Sequence, residues 1–251
     1  NKDLIKDYSL ENPYDLVYDG KWTLDKMIEM ASKATKDLNG DSVYDINDQY
    51  GLSCDDDWEW NSFIYSSGIS LVTKDSNGAF KLSINNERMV TLVEKLNKFI
   101  NQTNDAFIWD FNAKPEQMLK MSSGRVLFQI EAMSKLNTYR DTEVDYGILP
   151  YPKFDEKQES YYNNDWSGLM CVPKTVGNPE MVGKACELFA YYSKQTTIPA
   201  FFDLVLGEKL SRGEIIGITA GASTPDGTFK EVVARMNDIE NKDQATEPQE
   251  I

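Results

Sequence analysis

Hydrophobic and polar positions alternate along this chain in patterns that predict helices and strands in turn. Leu24, Met27, Ile28, Ala31 and Ala34 recur at helical spacing, predicting a helix capped by Thr23 and running to Lys36. A second helix is expected over the small, apolar stretch 61–71, where it could line a cleft. A third runs over 86–102, capped by Asn85, with Val90, Val93, Leu96 and Ile100 as its buried stripe. The pair Asn178-Pro179 opens a fourth, to about Lys194, over Val182, Ala185, Cys186, Phe189 and Ala190. Residues 198–210 and 229–240 also read as helical. Residues 49–53 read as the start of a strand. The near-continuous apolar run 126–130 predicts a strand covered on both faces. Strands are also expected over 144–149 and 168–172. Lys74 to Lys81 reads as a hairpin with Asn77-Gly78 at its tip.

Punctuation supports this division. Asn12-Pro13-Tyr14 and Asp19-Gly20-Lys21-Trp22 read as turns, Pro115 as the first residue of a short helix, and Gly124 as its stop. Residues 154–166 form a polar loop carrying Tyr161, Tyr162 and Trp166. Residues 213–227 are glycine-rich, and the tail to Ile251 is polar. No internal repeat is present. Strands alternating with helices predict an α/β layered fold.

Composition narrows the chemistry. The 251 residues carry a formal net charge of -15 and no histidine. Nucleic acid and anionic membranes need basic patches, so neither is an expected partner. Histidine-based triads and most zinc sites are excluded. Cys54, Cys171 and Cys186 show no CxxC spacing and are expected to be buried free thiols. The sequence begins with Asn1 and holds neither a membrane-length apolar run nor a signal peptide. It is therefore expected to be a mature form or a fragment whose original N-terminus is missing.

The most informative stretch is 37–60. Asp37, Asn39, Asp41, Asp45 and Asp48 fall at positions 1, 3, 5, 9 and 12 of a twelve-residue loop. The carbonyl of Val43 would stand at position 7. Oxygen ligands at this spacing suit Ca2+, which takes about six to eight of them. The loop departs from the EF-hand pattern with Ser42 at position 6 and Asp48 at position 12, and Gly40 is expected to take over part of the turn. A bare acidic turn is the alternative. Trp58-Glu59-Trp60 follows, two indoles with a carboxylate between them. The ion is expected to fix the loop, and the loop to aim these aromatics at a ligand. Aromatic faces stack on sugar CH faces while acidic and amide groups bond the hydroxyls, so aromatic density at 57–60 and 161–166 predicts a carbohydrate cleft. Trp22 and Trp109 are read as core residues. Trp58 and Trp166 sit in polar runs, where a core residue is not expected. A glycosidase would need two carboxylates roughly 5–10 Å apart, and Asp57, Glu59 and Glu131 are candidates. No GxSxG elbow, P-loop or GxGxxG motif is present.

Several stretches together carry a family resemblance. NKDLIKDYSLENPYDLVYDGKWTLDKMIEMA, DLNGDSVYDINDQYGL, the WEW segment, EVDYGILPYPKFDEKQESYY and residues 168–174 resemble family 1 extracellular solute-binding proteins over about residues 1–210. These are maltose-binding-protein-like carbohydrate receptors of bacterial ABC transporters. The resemblance implies a periplasmic-binding-protein type II fold, with α/β lobes of mixed sheet flanked by helices and a sugar bound between two lobes. Residues 1–175 would form the C-terminal lobe, with the calcium-like loop at 37–48. Residues 176–212 would return toward the N-terminal lobe, and 213–251 match the family's usual ending poorly. By resemblance, Trp58 is the sugar-stacking aromatic, and Glu131 and Ser134 lie in a strand-end contact loop. Trp60 and Trp166 complete the expected ligand set. The implied function is non-enzymatic binding of a mono- or oligosaccharide for delivery to permease subunits. The implied location is the cell surface or periplasm, with membrane attachment only through a lipid anchor outside this chain. A glycoside hydrolase and a calcium-stabilised protein-docking module are the alternatives.

Overall fold

The computed structural model describes residues 1–55, 59–139, 142–164 and 170–201, with residues 133, 134, 137 and 201 described by their backbone alone. Helices α1 (Lys2–Asp7), α2 (Pro13–Tyr18) and α3 (Leu24–Ala34) lead into strand β1 (Tyr50–Asp55). Helix α4 (Glu59–Ser66), a hairpin of β2 (Val72–Lys74) and β3 (Phe80–Leu82), and helix α5 (Glu87–Asn101) follow. Strand β4 (Ala106–Trp109), two 3-10 turns and β5 (Val126–Gln129) complete the sheet. Helices α6 (Pro179–Gln195) and α7 (Thr197–Phe201) come last.

Local chemistry explains the helix starts. The side chains of Asn1, Asn12, Thr23, Asn86 and Asn178 each accept a hydrogen bond from an amide in the first turn. Such caps satisfy donors that a helix cannot bond internally. Pro13 and Pro179 occupy first-turn positions, where a missing N–H costs nothing.

The main sheet is parallel, in the order β4-β1-β5, with β1 in the centre. Every residue of β1 is buried. Helix α3 lies on it through Leu24, Met27, Met30, Ala31 and Ala34, and the core continues through Trp22, Phe63 and Leu92. Gly51 permits this approach, since a Cβ there would fall 2.3 Å from the Ala31 Cα. The fold is thus α/β, with a three-stranded parallel sheet flanked by helices. The antiparallel pair β2–β3 forms a separate two-stranded hairpin rather than part of one mixed sheet.

Several expectations need correction. Asn12-Pro13 begins α2 instead of making a plain turn. The cap of α5 is Asn86, and its buried face is Leu92, Leu96 and Phe99, while Val90 and Val93 are about half exposed. A four-residue leucine spacing, not the valines, meets the core. Residues 144–149 form no strand. Their backbone is held singly instead, by the Lys2 amide on the Asp145 carbonyl and by the Ile148 amide on the Tyr14 hydroxyl. Residues 170–172 are not a strand either, and 168–169 lie outside the described residues. Helix α6 forms as expected but buries none of its residues, Phe189 included. Only Cys54 of the three free cysteines is buried. Residues 202–251, with the expected helix over 229–240, lie outside the described residues.

Candidate functional site at the carboxyl ends of the sheet

In open α/β sheets, ligands bind beyond the carboxyl ends of the strands. Here the strand register brings chemistry to that edge. Asp55 ends β1 and is paired with Trp109, which ends β4. Gln129 ends β5 opposite Ser53, and the Ile130 amide donates to the Ser53 carbonyl at 3.1 Å. Glu131 therefore emerges just past the same edge. Glu59 stands in the first turn of α4, which starts shortly after β1.

Two networks of contacts hold these groups. The Tyr151 hydroxyl donates to Glu59 Oε2 at 3.1 Å. Tyr151 is seated edge-on against Phe63, with ring centroids 5.6 Å apart. Glu131 Oε2 accepts from Lys120 Nζ at 3.2 Å, Gln129 Nε2 at 3.0 Å and the Tyr139 hydroxyl at 3.2 Å. Gln129 Nε2 also donates to the Tyr139 hydroxyl at 2.7 Å. Lys120 Nζ lies 5.2 Å from the centroid of the Trp109 ring, so one ammonium joins Glu131 to the indole. The Trp109 Nε1 is buried and has no hydrogen-bond partner among the described residues.

The electrostatics are uneven. Burial, with the charges of Asp55 and Glu131, pushes the Glu59 carboxyl up to about 7, against the opposing hydrogen bond from Tyr151. Burial, then the neighbouring Glu59 charge, lifts the Tyr151 phenol well above its ordinary value. Burial and Glu131 do the same to Tyr139. The edge therefore offers carboxylate acceptors, an ammonium and phenol hydroxyls, while the Trp109 indole beneath Lys120 is buried, at 7% exposure. Together these can bond hydroxyls.

The expected site residues divide into three groups. Glu131 is at the edge. Trp60 stacks on Phe63 at 5.8 Å and packs against the core. Trp58, Asp57 and Trp166 lie outside the described residues, as does the side chain of Ser134, which falls in the 3-10 segment Met133–Tyr139. Tyr161 packs on the core, its hydroxyl 3.3 Å from the Val17 carbonyl. Trp22 is core, as expected, with its Nε1 donating to the Pro150 carbonyl at 2.9 Å. Trp109 is core, as expected; Asp55, Lys120, Tyr139 and Tyr151 do not stand out as site residues in the sequence. For Asp55 the missing signal is its place at a strand end; for Tyr151 it is the expected strand over 144–149, which does not form.

The acidic loop stands elsewhere. Asp37 accepts from the Gly40 and Ser42 amides at 2.6 and 2.8 Å. Asp41 accepts from the Val43 amide at 2.7 Å, and the Asn47 amide donates to Asp45. Asp48 is fully buried and accepts from the Leu38 and Asp45 amides, both at 2.9 Å. Those amide bonds hold its carboxyl below the ordinary range. Gly40 shares the turn with Ser42, since both have positive φ, at 75° and 64°. Asn39 bonds Asp41 through both its amide oxygen and nitrogen. The side-chain oxygens thus face backbone amides, and no group of three acidic, cysteine or histidine residues among the described residues is gathered for a metal. The loop also precedes the amino end of β1, whereas Glu59 and Trp60 follow its carboxyl end. It cannot aim those side chains directly. A surface depression of 370 Å³ lined by Glu11, Lys21, Lys26, Glu29 and Asp155 is elsewhere again, and Lys26 pairs there with Glu11 and Glu29.

The chain matches no protein-family model and no curated protein.

Proposed function

We propose that this chain binds a carbohydrate, as the sugar-receiving part of a solute-binding protein that feeds a bacterial ABC importer. The observation that carries the reading is the meeting of Asp55, Glu59, Glu131, Lys120 and Tyr151 beside Trp109 at the carboxyl edge of a parallel sheet. Carboxylates and the ammonium bond sugar hydroxyls, and the stacking face is assigned to Trp58, which lies outside the described residues. The periplasmic-binding-protein type II architecture, closure of two lobes on the ligand, and a location outside the cytoplasmic membrane belong to the same proposal. Calorimetry with malto-, cello- and xylo-oligosaccharides tests it, with a heat of binding expected for at least one. No heat with any sugar rejects it.

The loop at 37–48 is proposed as a structural Ca2+ site. Asp37, Asn39, Asp41, Asp45, Asp48 and the Val43 carbonyl would hold the ion, and carboxylate oxygens that already accept amide bonds retain lone pairs for it.

One observation favours a second reading. Burial and the charge of Asp55 raise the Glu59 carboxyl to about 7, and a carboxyl kept protonated beside a second carboxyl is what a glycosidase uses as its general acid. Release of new reducing ends from the same oligosaccharides, lost in Glu59→Gln, would establish it. Unchanged oligosaccharide after long incubation leaves the binding reading alone.

A further inference from the structure

Glu59 occupies an unusual place in the edge just described. Among the described residues its Oε2 is engaged by the Tyr151 hydroxyl, which leaves Oε1 to carry a proton toward a ligand. The groups that face it are acidic or neutral. Asp55 comes from the end of β1 and Glu131 from the exit of β5. Tyr151 comes from the segment after residue 149, with Cys54 and Ser62 beside that phenol. The ammonium of Lys120, at the same edge, is spent on Glu131 at 3.2 Å. Tyr139 lies behind Glu131 as a further phenol. Asp56 and Asp57, in the connection from β1 to α4, lie outside the described residues.

A bound polyol would displace water from this edge. Removing water penalises an ionised carboxylate that has no cation of its own, and two neighbouring negative charges add to the penalty. A protonated Glu59 escapes both costs. It also gains an O–H that can donate to a sugar oxygen, while Oε2 still accepts from Tyr151.

We propose that Glu59 takes up a proton when an uncharged sugar binds, so that it acts as the residue coupling ligand affinity to pH. This inference rests on the carbohydrate-binding reading and adds a direction to it: affinity rises as pH falls. The carboxyl already sits at about 7 before any ligand arrives, which places the transition in the neutral range. Above that pH, binding must draw a proton from solvent. The dissociation constant then weakens by up to about tenfold per pH unit, and becomes flat in more acidic buffer. A ligand bearing an ammonium group would show the opposite slope, because it would stabilise the carboxylate.

The test is titration calorimetry on the full chain with the tightest binder among the oligosaccharides named above. It is run between about pH 5.5 and 8.5, in paired buffers of different ionisation enthalpy. The expected result is proton uptake approaching about one per ligand at the alkaline end, with affinity falling as pH rises. Glu59→Gln fixes a neutral side chain that still accepts from Tyr151. It should bind with the low-pH affinity at every pH and take up no proton. Tyr151→Phe removes the bond that favours the carboxylate and should move the transition to higher pH. A wild-type affinity independent of pH, zero proton uptake, or a wild-type pH profile in Glu59→Gln each overturns the proposal while leaving sugar binding intact. Absence of binding to every oligosaccharide at every pH overturns the underlying reading and this coupling with it.

Discussion

Gly51→Ala measures how closely helix and sheet must approach for this site to exist. Gly51 lies in β1 directly beneath α3 and does not adopt a left-handed backbone, so its demand is for space alone. A Cβ there would stand 2.3 Å from the Ala31 Cα and carbonyl oxygen and 2.4 Å from its carbonyl carbon. Ordinary contact begins at 3.4 Å, so helix and strand must part by about 1 Å. No rotamer change can relieve this, because all three obstructing atoms are backbone. The parting would loosen Met27, Met30, Ala31 and Ala34 from the sheet together and strain the bond from the Gly51 amide to Thr35 Oγ1. Ordinary overpacking costs about 1–3 kcal/mol, and a rigid obstruction of this kind belongs at or above the top of that range, at about 3–5 kcal/mol. Against a total of about 5–15 kcal/mol, that is a large fraction of the stability.

Thermal unfolding followed by circular dichroism provides the readout. At about 2–4 °C per kcal/mol for a chain of this size, the melting temperature should fall by about 10 °C. Gly78→Ala is the control. Gly78 has a φ of 80° at the hairpin tip, and a methyl group added there would meet nothing within 4 Å, so only backbone strain of about 1–2 kcal/mol is expected. Gly51→Ala melting within about 2 °C of wild type, or no lower than Gly78→Ala, would refute the close seating of α3 on β1.

Three further outcomes follow from particular contacts. Glu59 has a folded value raised to about 7, so its stabilising contribution is complete below the ordinary carboxylate range and is lost as pH rises through 7. Glu59→Gln should accordingly be more stable than wild type by about 1–2 kcal/mol at pH 8.5 and equal it near pH 4, and identical melting curves at both would contradict the burial argument. Trp22→Phe removes the bond to the Pro150 carbonyl at 2.9 Å and opens space beside Phe128, at a cost of about 2–4 kcal/mol in urea unfolding. Chelation with EDTA should lower the melting temperature if the loop at 37–48 holds Ca2+, and Asp37→Ala should abolish the response; an unchanged melt returns the loop to a bare acidic turn.

What the sequence shows of this fold depends on how local each determinant is. Caps are local, so the starts of α3 and α6 are readable from Thr23 and Asn178-Pro179. The hairpin with Gly78 at its tip is readable for the same reason. The buried face of α5 is not, because Val90 and Val93 fit an apolar stripe as well as Leu92 and Phe99 do, and only the rest of the core chooses between them. Residues 144–149 have the composition of a strand but no strand to pair with. The site is the least legible part. Glu59 and Glu131 stand out for their charge, yet their meeting depends on the register of β1 with β5, which no single segment encodes. Asp55 and Trp109 meet through the register of β1 with β4 in the same way.

The same register changes the role of the acidic loop. Arg125, just before β5, donates to the carbonyls of Ile46 and Asp48, and the Tyr50 hydroxyl donates to the Asp45 carbonyl. The loop is thereby fastened to the amino ends of β1 and β5. Six residues of β1 then separate it from the binding edge, about 17–20 Å of extended chain. An ion there would hold the strands in register from the far end, acting on stability first and on ligand affinity only through the sheet. Loop occupancy and sugar recognition should therefore be separable, since the groups proposed to touch the ligand all lie at the opposite edge.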